Sequence, residues 1–186
     1  MMGMSSNSDM KSTSSKMKIF SVRDIAEIGL MTACLEAVKM ALSAIPNVEM
    51  VTLLIILFTL YLGKKTLIAV WAFVGVECFV WGIGLWTLMY IYVWPVLVIC
   101  TLLLKRFIDL PMAYVVLSAA FGLLFGAMCS LPYIFISGPA YAFTWWIAGI
   151  PYDILHCVAN FILALILFKP LNMLLTKIKK GSPFLS

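Results

Sequence analysis

Six residues in this chain have the types and spacing to do chemistry. Asp153, His156 and Asn160 stand at i, i+3 and i+7, one stripe of a helix. Glu36 and Lys39 stand three apart, close enough to pair on one helix face, and Glu77 lies alone in an apolar run. Asp153 and His156 can serve as an acid/base pair, as ligand contacts, or as satisfied interhelical hydrogen bonders. Glu36 and Lys39 can hold a ligand or each other. The surroundings give these residues their meaning: 64% of the 186 residues are hydrophobic, 11% are charged, and mean hydropathy is +1.09. That composition lies outside the soluble range and predicts an integral membrane protein. In hydrocarbon each such group costs roughly 2.5–3.5 kcal/mol near a helix centre, so it must face protein, a cavity or a partner charge.

The elements that must position them follow from the apolar runs. Six spans are expected, at 22–45, 50–62, 66–84, 86–104, 111–136 and 144–168, as one all-α bundle of transmembrane helices. No run shows the dyad alternation of a barrel strand. The serine-rich, basic residues 1–21 are expected to be a disordered cytosolic tail, residues 22–171 a single substrate-binding domain, and residues 172–186 a short basic tail. Of the 13 Lys and Arg residues, all but Lys39 fall on one side of a six-span topology, which places both termini in the cytoplasm. The net charge of +5 therefore reflects topology, and no nucleic-acid partner is inferred from it.

Counting about 1.5 Å per residue from each helix's cytosolic cation puts Glu36 and Lys39 roughly 20 and 24 Å above Arg23. The same count puts Glu77 roughly 18 Å above Lys65, and Asp153 and His156 roughly 24 and 20 Å above Lys169. These five groups, from three helices, share one layer in the outer half of the membrane, with Asn160 just beneath. Span 2 is too short to reach the outer surface, so Pro46, Asn47 and Glu49 dip into the same layer, where irregular backbone is tolerated only against protein or a cavity. A pocket open to the outside is the expectation. Asn47 can also cap helix 2, with Glu49 complementing its dipole.

Trp81, Trp86, Tyr90, Tyr92 and Trp94 crowd the outer ends of spans 3 and 4, Trp145 and Trp146 open span 6, and Tyr152 adjoins Asp153. Interfacial belts account for such rings, and so does a wall on which a flat heterocycle stacks. Trp81, Tyr90 and Tyr152 join the candidate binding set. Small residues recur every four positions at Gly29, Ala33 and Ala37, and at Ser118, Gly122, Gly126 and Ser130, letting helices approach closely. On span 5 this reads as internal packing; on span 1 a contact with another subunit is an alternative. The five cysteines show no C-x-x-C pair and suggest neither a metal nor a disulfide framework. "LGKKT" at 62–66 is no P-loop, since Phe58 stands where the first glycine belongs. No cofactor is expected.

The basic N-terminus, the helix "VRDIAEIGLMTACLEAVKMAL", the loop "IPNVE", the short helix "MVTLLIILFTLYLGKK" and the final "WWIAGIPYDILHCVANFILALILFKPL" together resemble the S components of energy-coupling factor (ECF) vitamin transporters. The likeness spans residues 22–171. It implies a non-enzymatic, multi-pass protein of a prokaryotic plasma membrane that captures a vitamin-like small molecule from outside. It also implies docking on a membrane T component driven by two cytosolic ATPase subunits. The family's alanine-x-x-x-alanine docking motif falls on Gly29 and Ala33, with Ala37 one turn on, and its gating loop on 46–49. A solo proton-coupled carrier, or a membrane enzyme using Asp153 and His156, are the alternatives; no H-E-x-x-H or G-x-S-x-G motif supports the latter.

Overall fold

A computed structural model describes residues 21–181, in which all regular structure is helical. The elements are α1 (Val22–Leu42), α2 (Val51–Leu62), a 3-10 turn (Gly63–Lys65), α3 (Thr66–Trp81), α4 (Leu85–Phe107), α5 (Pro111–Ile136) and α6 (Pro139–Gly181). The expected N-terminal tail, except Ser21, lies outside the described residues. Ser21 itself opens α1: its hydroxyl accepts from Asp24 N and the Asp24 carboxylate accepts from Ser21 N, each at 3.1 Å, a reciprocal capping box.

Cross-helix contacts fix the running directions. α1 and α3 run parallel, joined by the Asp24–Lys65 pair, by the Thr32 hydroxyl donating to Ala69 O at 3.2 Å, and by the Lys39–Glu77 pair. α3 and α4 run antiparallel, with Trp71 Nε1 donating to Ile91 O at 3.2 Å and Cys78 meeting Thr87. α5 and α6 form a long antiparallel hairpin, from the Tyr114–Phe168 stack at one end to the Tyr133–Trp145 contact at the other. Gly63, at φ 61°, breaks the helix between α2 and α3 in a conformation other residues rarely adopt.

Four stretches are long and apolar enough to cross a membrane: Val51–Trp81, Leu85–Phe107, Pro111–Ile136 and Pro139–Ile178. The first is bent back at Gly63 into α2 and α3, because contacts described below bring Glu49 and Glu77, at its two ends, into one cluster. α1 carries five charges and stands outside that set. The outward surface is apolar, with Phe79, Phe135 and Ile83 all strongly exposed.

α2 forms the core. Every residue from Val51 to Thr59 is buried, and it is apolar on all sides as a helix enclosed by others must be. Its twelve residues span about 18 Å. Lys105 Nζ donates to Leu60 O at 2.9 Å, satisfying a carbonyl that the end of α2 leaves open.

The expected spans differ from the helices mainly at one place. α6 begins at Pro139 and runs to Gly181, so residues 172–181, read as a tail, continue the helix. Leu171 through Lys180 offer good helix formers and no glycine, and Pro170 lies inside the helix without ending it. At about 64 Å, α6 exceeds a bilayer core of about 30 Å by several turns.

Prolines inside helices leave carbonyls without donors, and for Pro95 and Pro132 a neighbouring helix supplies one. Pro95 in α4 cannot bond Ile91 O, and Trp71 Nε1 donates there instead. Pro132 in α5 frees Met128 O, which accepts the Tyr92 hydroxyl at 2.6 Å.

Candidate ligand site

The polar layer assembles at the end of the bundle where α1 finishes and α2 begins. Lys39 pairs with Glu77, not with Glu36 as its spacing also allowed. The reason is helix direction: parallel packing of α1 on α3 sets Lys39 against Glu77, which is 1% exposed and needs a cation, while both oxygens of Glu36 are buried without a hydrogen-bond donor. The Lys39 ammonium also lies 5.2 Å from the Tyr90 ring centre and 5.7 Å from that of Phe73, within cation–π range.

Glu49 closes the other side. One of its oxygens accepts from Thr52 N at 2.8 Å; the other accepts from the Thr52 hydroxyl and meets His156 Nε2 at 3.1 Å. Glu49 thus caps α2 while reaching α6, and the capping role considered for Asn47 belongs to it. Asn47 instead turns the chain, with φ at 57°, a left-handed conformation asparagine tolerates. Burial opposes ionisation of Glu49, but the hydrogen bond and charge of His156 and the bonds from Thr52 outweigh it, holding the carboxyl below its ordinary range.

The stripe on α6 faces α5. Asp153 Oδ1 accepts from Gly126 N at 3.0 Å, Asn160 Nδ2 donates to Ser118 O at 3.4 Å, and all three stripe residues are buried. The small-residue ladder of α5 makes this possible. A Cβ on Gly122 would stand 2.9 Å from the His156 carbonyl carbon, and one on Gly126 would overlap the Asp153 carboxylate. Internal packing is therefore the role of that ladder.

Aromatic rings bridge the two sides. Tyr90 is 6.4 Å from Phe125, Phe125 is 5.1 Å from the His156 ring, and Trp94 sits 5.4 and 5.7 Å from Tyr90 and Phe125. A continuous relay thus runs Glu77, Lys39, Tyr90, Phe125, His156, Glu49, with members from α3, α1, α4, α5, α6 and the α1–α2 loop. Phe125 was not singled out from sequence, although its i, i+4 spacing from Phe121 in the ladder helix is a signal for it.

Two expected members lie elsewhere. Trp81 and Tyr152 are 61% and 59% exposed, on outer faces of their helices, and neither joins the cluster. Tyr152 neighbours Asp153 in sequence, but consecutive helix positions point about 100° apart. Gly29, Ala33 and Ala37 are exposed on one face of α1, with open space where a Gly29 side chain would stand.

Where an open pocket is expected, the Lys39–Glu77 and Glu49–His156 pairs join α1 to α3 and the α1–α2 loop to α6. Two clefts, of about 380 and 320 Å³, lie at the opposite end, lined in part by Arg23, Asp24 and Lys65, and by Lys105, Asp109 and Tyr114. Neither includes a residue of the relay. No group of three or more His, Cys, Asp or Glu side chains suited to a metal occurs among the described residues. Comparison of the chain with protein-family models, with curated protein sequences and with solved structures gives no match.

Proposed function

We propose that this chain is the substrate-capture subunit, the S component, of an ECF-type transporter. Its six helices cross the plasma membrane with both termini in the cytoplasm, and it takes a vitamin-like small molecule from outside. The observation that carries this reading is the relay, in which five helices and one loop each commit a costly polar or aromatic side chain to a single layer. Groups that served packing alone would not need to converge from every side of the bundle. In this reading the arrangement described is a closed state, with the site's own pairs standing where the ligand enters. Ligand entry replaces the Glu49–His156 contact, the link through which residues 43–50 hold to α6. The exposed Gly29, Ala33 and Ala37 face supports docking of α1 on a membrane T component, with two cytosolic ATPases supplying energy.

The test is reconstitution. The purified full chain should retain a small molecule detectable by native mass spectrometry, and vesicles should accumulate that molecule only when T component and ATPases are present with ATP. Accumulation by the chain alone down a proton gradient would replace this reading with a solo carrier.

A further inference from the structure

The hydrogen-bonding demand left open in the layer identifies the class of molecule it receives, an inference that rests on the capture reading above. Four carboxylates, Glu36, Glu49, Glu77 and Asp153, face one ammonium, Lys39, and one imidazole, His156. The pairing does not exhaust them. Glu77 is 1% exposed and uses only one oxygen on Lys39, leaving Oε1 without a partner. Asp153 is 6% exposed and uses Oδ1 on Gly126 N, leaving Oδ2 without a partner. Both oxygens of Glu36 are in the same condition. Four buried acceptor oxygens therefore await donors, against two open donors beside the layer among the described residues, the Trp94 indole and the Ser118 hydroxyl.

A buried acceptor without a donor costs about 1–3 kcal/mol, and more when charged. Such atoms are retained where something else supplies the donor. Lys39 shows in the structure how the layer receives a cation: its ammonium sits on a carboxylate with aromatic rings beside it. An anion entering here would meet an excess of carboxylate, and a purely apolar ligand would leave all four oxygens unmet.

We propose that the layer binds an organic cation, a positively charged nitrogen heteroaromatic bearing N–H donors. Its charge lies toward Glu36 and Glu77, its N–H groups reach Asp153 Oδ2, and its ring packs among Tyr90, Phe125 and Trp94.

An isosteric series tests the charge directly. The purified full chain in detergent is titrated, with tryptophan fluorescence as readout, with 1-methylnicotinamide (a permanent cation), nicotinamide (neutral) and nicotinate (anionic). The cation should bind at least about tenfold more tightly than nicotinamide, with nicotinate weakest. Asp153→Asn and Glu77→Gln should each remove most of that preference, bringing the ratio of the cation's affinity to nicotinamide's below about threefold. The wild-type order stands as evidence even if one variant folds poorly. Equal affinities, nicotinate first, or no binding of the cation up to roughly 10 mM would overturn the proposal. Nicotinate first, with the preference lost in Lys39→Met, would overturn the cation class and leave the capture reading intact. The capture reading falls separately, if no small molecule of any charge is retained by the purified chain.

Discussion

The Tyr92 hydroxyl on α4 donates to the carbonyl of Met128 on α5, the very carbonyl that Pro132 leaves without its helical donor. Trp71 does the same on α3 for Ile91, ahead of Pro95. In hydrocarbon no water takes up a freed carbonyl, so Pro132 and Pro95 each call for a donor on the neighbouring helix. Tyr92→Phe should lower stability by about 0.5–1.5 kcal/mol, near the range measured for interhelical hydrogen bonds in bilayers. Tyr92→Phe combined with Pro132→Ala, which restores the helical donor, should recover most of it. Denaturant unfolding in detergent measures both; equal losses in the single and double variants would refute the pairing.

Lys39 and Glu77 form a second coupled unit. Removing one partner of a buried ion pair costs about 3–5 kcal/mol, because the other charge stays buried and unpaired. Lys39 is partly exposed, so Lys39→Met should fall at or below the lower end of that range. Lys39→Met with Glu77→Gln should be milder than Lys39→Met alone. A double-mutant cycle by thermal unfolding reads the coupling, and strict additivity would place Lys39 elsewhere.

The capping contact at Glu49 carries a pH dependence whose sign follows from its depressed carboxyl pKa. A lowered folded-state value means the stabilisation is fully present above the ordinary carboxylate range near 4.3 and is lost as pH falls through the lower folded value. The difference in melting temperature between wild type and Glu49→Gln should therefore be largest at neutral pH and shrink on acidification below about 4. A difference that instead grows with acid would reverse the assignment.

Much of the site was legible because its members are expensive. Charges inside apolar runs announce themselves, and a rise of about 1.5 Å per residue is enough to put Lys39, Glu77, Asp153 and His156 at one height. Span 5 was read at its observed bounds because Pro111 and the turn before Pro139 mark both ends. Pairing was not legible. In sequence the partner that spacing offers Lys39 is Glu36, and the parallel packing of α1 on α3 brings Glu77 to it instead. Outward-facing rings are not legible either: Trp81 ends α3, which is too uniformly apolar for a sequence stripe to fix its rotation, and Tyr152, though next to Asp153 in the chain, points about 100° away from it around α6. The continuation of α6 past residue 171 does not show in the sequence because the apolar run ends at Phe168 and cations follow, although the residues after Pro170 favour helix.

Gly126 offers a way to separate packing from binding. A methyl group there would overlap the Asp153 carboxylate, which also accepts the Gly126 N–H. Gly126→Ala should therefore destabilise the α5–α6 hairpin by about 1–3 kcal/mol, as overpacking does, and displace Asp153 from the layer. Asp153→Ala in the same chain removes the clashing atoms, so the double variant should regain stability relative to Gly126→Ala alone. It should not regain affinity for a charged ligand, because the carboxylate is gone. Unfolding midpoints and the 1-methylnicotinamide titration, measured on the same preparations, give the two readouts. Recovery of both together would show that Asp153 serves the hairpin and not the ligand; recovery of stability without affinity assigns it to both.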